Sequence, residues 1–454
     1  MVHWVAFSLM TASLAAAVVL KGGVYPTQWE WSALGISIAA CLLVSRNLKV
    51  LKVSKDAWGF LLMGLLLAWM VLQLVPLPPA VVGFLSPSRW AAALAARMAA
   101  AGSTGSWLAI SVAPSATMQR LLNVAPAMAC FVATYELGHR LNRRAWWLVA
   151  PLVVIASLES LLGILQYYLL RMERYGTPMA TGTYVNRNHF AGLLETALPL
   201  TIAWAVASWR RGQSRLHGSG GPTLRTALLL AAAAFLLMGM LASLSRMGIL
   251  SLLLGLAAMG LAWFLTQQAD ASNPRRRRHW VAIAGVLVGV LTFLAFLSPG
   301  EMVQRFAEMA QTEDITSDGR VQIWKDTLKL ILAYPWTGCG LGAYERGLFA
   351  FKTAAPMNTV DFAHNDYLQI LAELGFPGFL LVAALSGWIL WSTVSAVLSR
   401  CGRSNWELAV GLLGVFVAIG LHSLADFNLY IPANALALAW LGGLAVSPAV
   451  RGMP

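Results

Sequence analysis

The chain has 454 residues, 58% of them hydrophobic and 11% charged, with a mean hydropathy of +0.67 and a formal net charge of +13. A soluble core of this length cannot absorb so much apolar surface, which excludes an ordinary globular enzyme and points to an integral membrane protein. The basic excess would suit nucleic acid in a soluble chain, but connections between membrane spans leave no room for a nucleic-acid-binding module.

Apolar runs of the length a helix needs to cross a bilayer lie near 4–20, 31–45, 57–76, 121–138, 146–170, 190–208, 225–242, 249–266, 280–298, 367–398, 406–424 and 433–447. They predict an all-α polytopic protein of about twelve spans, forming a single integral membrane domain over residues 1–454. The first run lacks the basic start and the clear small-residue cleavage site of a signal peptide, so it is expected to remain a helix. Basic residues gather at Arg46 to Lys55, Arg140 to Arg144, Arg210 to Arg225, Arg275 to Arg278 and Arg400 to Arg403. These are alternate connections, so the positive-inside rule makes them cytoplasmic, along with both termini. The run Arg275 to Arg278 then serves orientation and contact with anionic lipid heads.

Of the four cysteines, Cys41 and Cys130 fall in spans and Cys401 is expected inside, which leaves Cys339 without an exported partner for a disulfide. No CxxC, HExxH or Walker phosphate loop is present, so nucleotide-driven pumping has no support. Polar residues concentrate instead in three regions expected on the outer face. Residues 76–120, with Trp90 and Trp107, read as a partly helical periplasmic segment lying on the membrane. The loop from Arg171 to Phe190 carries Asn186-Arg187-Asn188-His189 just ahead of a span. The long periplasmic loop 299–366, before the tenth span, ends at His364-Asn365-Asp366-Tyr367.

Arg187 and Arg246 stand in outward connections, where topology disfavours fixed positive charge. An anion at headgroup depth would compensate them. Arg320 follows Gly319 in the long loop, and the planar fork of arginine grips phosphate oxygens in pairs while staying charged at any working pH. Pairing with lipid phosphate, or with Asp314, Asp318 or Asp326, is the alternative for each of these arginines. His364 has the ordinary imidazole pKa of about 6.5 available for accepting a proton from an attacking hydroxyl, though loop histidines also serve structural ends. Glu159 and Glu195, inside spans, are expected to face the bundle interior. They keep a transporter open as an alternative, with its polar residues at midplane on broken helices. Asp314 to Gly319 imitates the start of a calcium loop, but its twelfth position is Lys325 where a bidentate glutamate is needed. That argues against calcium; a magnesium-diphosphate site needs only one or two carboxylates, and Asp318 beside Arg320 could supply one, but arginines aimed at the same oxygens already provide the cationic field, so no metal or other cofactor is expected.

Together these residues resemble the O-antigen ligase and polymerase superfamily. The resemblance rests on His364-Asn365 followed by Gly375-Phe-Pro-Gly378, the Ser245-Arg246 turn, and Asn186-Arg-Asn-His189. It rests also on Gly319-Arg320-x3-Trp324 leading to Pro335-Trp-Thr-Gly338-x-Gly340-x-Gly342. It implies a bacterial inner-membrane glycosyltransferase with a periplasmic active site, on a helical fold grouped with the lipid-carrier (GT-C type) enzymes. The implied reaction is a metal-independent, inverting transfer of O-antigen or a related glycan from undecaprenyl diphosphate to an acceptor hydroxyl. His364 would be the general base; Arg246 and Arg320, with Arg187, would bind the diphosphate, supported by Asn365, Asn186 and His189. Lipid A core is the expected acceptor, a second lipid-linked glycan (a polymerase) the alternative, and a non-enzymatic transporter or binder of lipid-linked glycan a further one.

Overall fold

A computed structural model describes residues 2–44, 56–99, 107–171, 173–174, 177–214, 221–268, 317–353, 359–399 and 405–451. The expected span at 280–298, the run Arg275 to Arg278 and Asp314 lie outside these residues, and so does the side chain of Asp318. Among the described residues the protein is helical, apart from the two-residue strands Glu173–Arg174 and Thr177–Pro178, which pair antiparallel. Seven helical stretches among the described residues are long and apolar enough to cross a membrane, and Ala57–Leu72, Trp406–His422 and Pro432–Val446 are shorter apolar helices.

The chain divides into two compact units. The first comprises Met1–Arg140, Ser317–Ser392 and Leu421–Ser447. Here α1 (Val2–Val19), α2 (Pro26–Val44), α6 (Pro114–Arg140) and α15 (Pro432–Val446) pack on one another. The contacts are close because glycines leave room for the neighbouring helix: Gly35 of α2 sits against the Ser13 side chain of α1, and Gly442 and Gly443 of α15 sit against the ring and the backbone of Phe131 of α6. Lipid offers no hydrophobic drive between helices, so such close approach is what holds them. An aromatic cluster of Phe60, Phe131, Tyr135 and Trp388 ties α3 (Ala57–Leu72) and α13 (Asp366–Leu398) to α6. Segment 76–120 contains α4 (Pro79–Leu85) and α5 (Pro87–Ala99), and α6 already begins at Pro114.

The second unit comprises Leu141–Thr316, Thr393–Gly420 and Pro448–Pro454. Helices α7 (Ala150–Ile164), α8 (Arg187–Ser214) and α9 (Gly221–Ala242) pack together, and α10 (Arg246–Gln268) packs on α8 and α9. Gly239 of α9 meets Ser160 of α7, and Gly255 of α10 meets the Gly414 carbonyl of α14 (Trp406–His422). The Arg210 guanidinium pairs with Glu407 at 2.9 Å. The end of α8 and the start of α14 therefore lie side by side.

The described part of the loop expected ahead of His364 is folded. Helices α11 (Ser317–Ala333) and α12 (Tyr344–Leu348) lie within it, cored by Ile323, Leu330, Tyr344 and Leu348. Asp326 fastens the return of the chain by accepting the Thr353 backbone N–H at 2.6 Å, while Lys329 pairs with it at 3.0 Å.

Candidate functional site

In the first unit the polar residues assemble where α3 ends and α6, α13 and α15 begin. The decisive piece is the turn 423–427. The Asp366 backbone N–H donates to the Ser423 carbonyl at 2.9 Å, and the Ser423 hydroxyl donates to the Asp366 carboxylate at 2.8 Å. Asn365 Nδ2 donates to the Leu424 carbonyl at 2.9 Å, while its Oδ1 accepts the Leu368 N–H at 3.0 Å. Asn365 is thus the N-cap of α13, satisfying a helix-end donor that would otherwise be orphaned. Arg320 Nη1 donates to the Ala425 carbonyl at 3.0 Å, and its Nε is buried without a hydrogen bond. His364 precedes the cap with φ +50°. Its Nδ1 lies 3.9 Å from Asp426 Oδ1, and its ring meets Phe427 edge-on at 5.0 Å. The side chain is only 19% exposed, so although it stands at the end of the loop the turn walls it in.

The glycine signatures hold this arrangement. Gly375 (φ +65°, ψ −179°) interrupts α13, and there the loop 335–342 runs against the helix backbone. Cys339 N–H donates to the Ala372 carbonyl, Gly340 N–H to Glu373 and Phe376 N–H to Pro335, at 2.8–3.0 Å. A side chain at Gly338 would collide with the Glu373 carbonyl, and one at Gly375 with the Trp336 carbonyl. Gln73, at the end of α3, clasps the junction: its Nε2 donates to the Thr337 and Glu373 carbonyls, and its Oε1 accepts the Leu341 N–H. The buried Glu373 carboxylate accepts from Gly342 N–H at 2.7 Å and from the Tyr430 hydroxyl at 2.9 Å. Burial first, and the neighbouring Glu373 second, push the Tyr430 phenol well above its usual range, so it stays protonated as that donor. The motif residues of this unit are thus mainly the frame around His364.

In the second unit Arg187 and Arg246 are each the first residue of a helix, α8 and α10, not loop residues ahead of one as expected. Asn186 Oδ1 accepts the Asn188 N–H at 2.8 Å, and Ser245 Oγ accepts the Gly248 N–H at 3.2 Å. Both are N-caps. The Ser245 hydroxyl donates to Asn188 Oδ1 at 2.8 Å, which joins the two helix starts and brings both arginines to one end of the unit. The positive ends of two helices there add to the guanidinium charges, a field that favours an anion. Leu244, with φ +56°, makes the turn that starts α10. Glu159 Oε2 accepts the Thr183 N–H at 2.8 Å and its Oε1 the Thr183 hydroxyl at 2.9 Å, fixing the loop that leads to Arg187. Glu195 accepts from Ser251 of α10 at 2.9 Å. His189 is buried in the first turn of α8.

The structure therefore brings His364, Asn365 and Arg320 together in the first unit, and Asn186, Arg187, His189 and Arg246 together in the second. Asp326, considered as a partner for Arg320, is taken by Lys329 and Thr353. Asp426, His422, Glu373 and Gln73 were not singled out from the sequence. The signal for the first two was available, as His422 and Asp426 stand four apart at the end of an apolar run.

Residues 231–383 match the family model described as O-antigen ligase. This stretch is similar to the O-antigen ligase family. The match spans Arg246, Arg320, His364-Asn365 and Gly375 to Gly378, and supports the superfamily that the motifs resemble; Asn186, Arg187 and His189 fall outside it. A probable peptidoglycan glycosyltransferase, FtsW, of Thioalkalivibrio sulfidiphilus (strain HL-EbGR7) is 30% identical over 155 residues, which are 34% of this chain and 34% of that protein. The chain thus aligns with about a third of the length of that relative. The ligase-like stretch carries the whole frame from Tyr334 to Gly378, so its glycine pattern has a physical basis in the backbone contacts described above.

Proposed function

We propose that this protein is a glycosyltransferase that moves O-antigen or a related glycan from undecaprenyl diphosphate to an acceptor hydroxyl, that of lipid A core, on the periplasmic face of the inner membrane. The observation that carries this reading is the turn 423–427, to which Arg320, Asn365 and Asp366 are bonded and against which His364 is held. A proton acceptor and a guanidinium, both from the stretch similar to O-antigen ligases and both held against one turn, would supply the two functions the reaction needs.

In the proposed step the acceptor hydroxyl gives its proton to His364 as its oxygen attacks the anomeric carbon. The carbon–oxygen bond to the diphosphate breaks from the opposite side, and its electron pair leaves on the diphosphate, so configuration inverts. General-base assistance of this kind contributes about 10²–10⁴-fold. Arg246 and Arg320, with Arg187, are assigned to the diphosphate, whose negative charge grows as it departs. Fixed donors aimed at developing charge are commonly the largest catalytic contribution.

The test is transfer by the purified protein from a defined undecaprenyl-diphosphate-linked oligosaccharide, with lipid A core and a second lipid-linked glycan offered separately and the products weighed by mass spectrometry. A new glycosidic bond to lipid A core, lost in His364→Ala, is the expected result. Product only on the lipid-linked glycan would make the enzyme a polymerase. Binding or movement of the donor without any new bond would remove the enzymatic reading.

A further inference from the structure

The other side of Asp426 faces a second imidazole. His422 Nε2 lies 3.9 Å from Asp426 Oδ2, and His364 Nδ1 lies 3.9 Å from Oδ1, so one carboxylate stands between two rings. His422 is fully buried and Asp426 is 1% exposed. The carboxylate is held in place, because Oδ1 also accepts the Phe427 N–H at 2.8 Å. Phe427 in turn meets the His364 ring edge-on and lies flat on Phe362, with centroids 4.0 Å apart. His422 closes the last turn of α14, where a helix dipole favours a cationic ring.

We infer that Asp426 is a positioning residue for His364, turning its Nε2 to the acceptor hydroxyl and stabilising the imidazolium that forms, and that the buried His422 holds Asp426 from the opposite side. The inference rests on the reading of His364 as general base. His364 Nδ1 is the ring nitrogen that faces the Asp426 carboxylate. A separation of 3.9 Å is ion-pair range, and an ion pair arises there only when the ring takes up the proton. The carboxylate therefore favours the protonated ring, which is the state that develops as the acceptor is deprotonated. With Asp426 only 1% exposed, its preorganised charge acts with little screening.

The groups around His364 are Asp426 and His422 on the turn side, Asp366 at the start of α13, and Arg320 of α11 bonded to the same turn. Asp366 is committed to the Ser423 hydroxyl and the Leu429 N–H. Asp426 faces the imidazole at 3.9 Å.

The experiment has a spectroscopic and a kinetic arm, both on the full-length protein in lipid nanodiscs. Histidine-selective nitrogen labelling, with His364→Ala identifying the signal, gives the neutral tautomer of His364 without any substrate. The native ring is expected to carry its proton on Nδ1; a proton on Nε2 instead would overturn the inference, and no folded variant of Asp426 is required to see it. Kinetically, Asp426→Asn is expected to lower kcat about 100-fold with the donor KM unchanged. The acid limb of the rate profile should move to lower pH, since the ring loses a group that favours its protonated form. Asp426→Glu should recover part of the rate, and His422→Gln should give a smaller loss in the same sense. If His364→Ala is inactive while Asp426→Asn keeps both rate and pH profile, the positioning role is wrong and the general-base reading survives. If His364→Ala itself turns over normally, the general-base reading falls, and the tautomer alone then decides whether Asp426 orients the ring.

Discussion

Replacing Gly375 by alanine should destabilise the protein and disable transfer together, although the residue lies ten positions beyond the cap of α13. Its backbone, at φ +65° and ψ −179°, occupies a region open essentially to glycine alone. Holding a side chain there costs about 1–3 kcal/mol. The added methyl would also meet the Trp336 carbonyl, so the loop 335–342 must back away. Losing the Phe376-to-Pro335 hydrogen bond as it does so costs about 1 kcal/mol more. The total, about 2–4 kcal/mol, is a large part of the 5–15 kcal/mol that typically separates folded from unfolded chains. Gly387 is the control. It lies in the same helix with nothing within 4 Å of an added methyl, so Gly387→Ala should be neutral or stabilising by up to about 1 kcal/mol. Thermal unfolding in detergent, followed by loss of the monodisperse peak, compares the two directly. Equal midpoints for Gly375→Ala and Gly387→Ala would refute the claim that the helix break is a clamp.

Arg246→Lys is expected to slow transfer by at least 10-fold despite the retained charge, because a bidentate grip is lost; a lysine variant of native kcat/KM would remove Arg246 from the diphosphate. Glu159→Gln should weaken the anchoring of Thr183 by about 1–3 kcal/mol, and faster proteolysis of the loop ahead of α8 is the measurement that detects it. Transfer is expected to continue undiminished in excess EDTA, and loss of rate restored by magnesium or manganese would show that a dication assists the departing diphosphate.

The helices were readable because hydrocarbon imposes a length and a composition on any segment that crosses it. Each expected span within the described residues coincides with a helix, from α1 to α15. Local chemistry was readable too, since Asn186, Ser245 and Asn365 are residue types suited to capping and all three cap helices. The clamp was visible only as a glycine pattern. Its meaning depends on residues 335–342 meeting 373–376 and Gln73, contacts that join distant parts of the chain and leave no periodic trace. Glu373 escaped notice for a related reason: in a long apolar helix its carboxylate is satisfied by Gly342 and Tyr430, which nothing in its own neighbourhood announces. Asp426 and His422 were missed because the turn between two apolar runs read as a plain connection.

The left-handed backbone of His364 bears on how an inactive form of the protein should be made. At φ +50° most side chains are strained, but asparagine tolerates this conformation about as well as histidine. His364→Asn removes the titrating ring while asking nothing new of the chain, whereas valine or isoleucine at the same point would pull the cap of α13 out of shape. An asparagine variant is therefore the natural vehicle for arresting the reaction with both substrates bound.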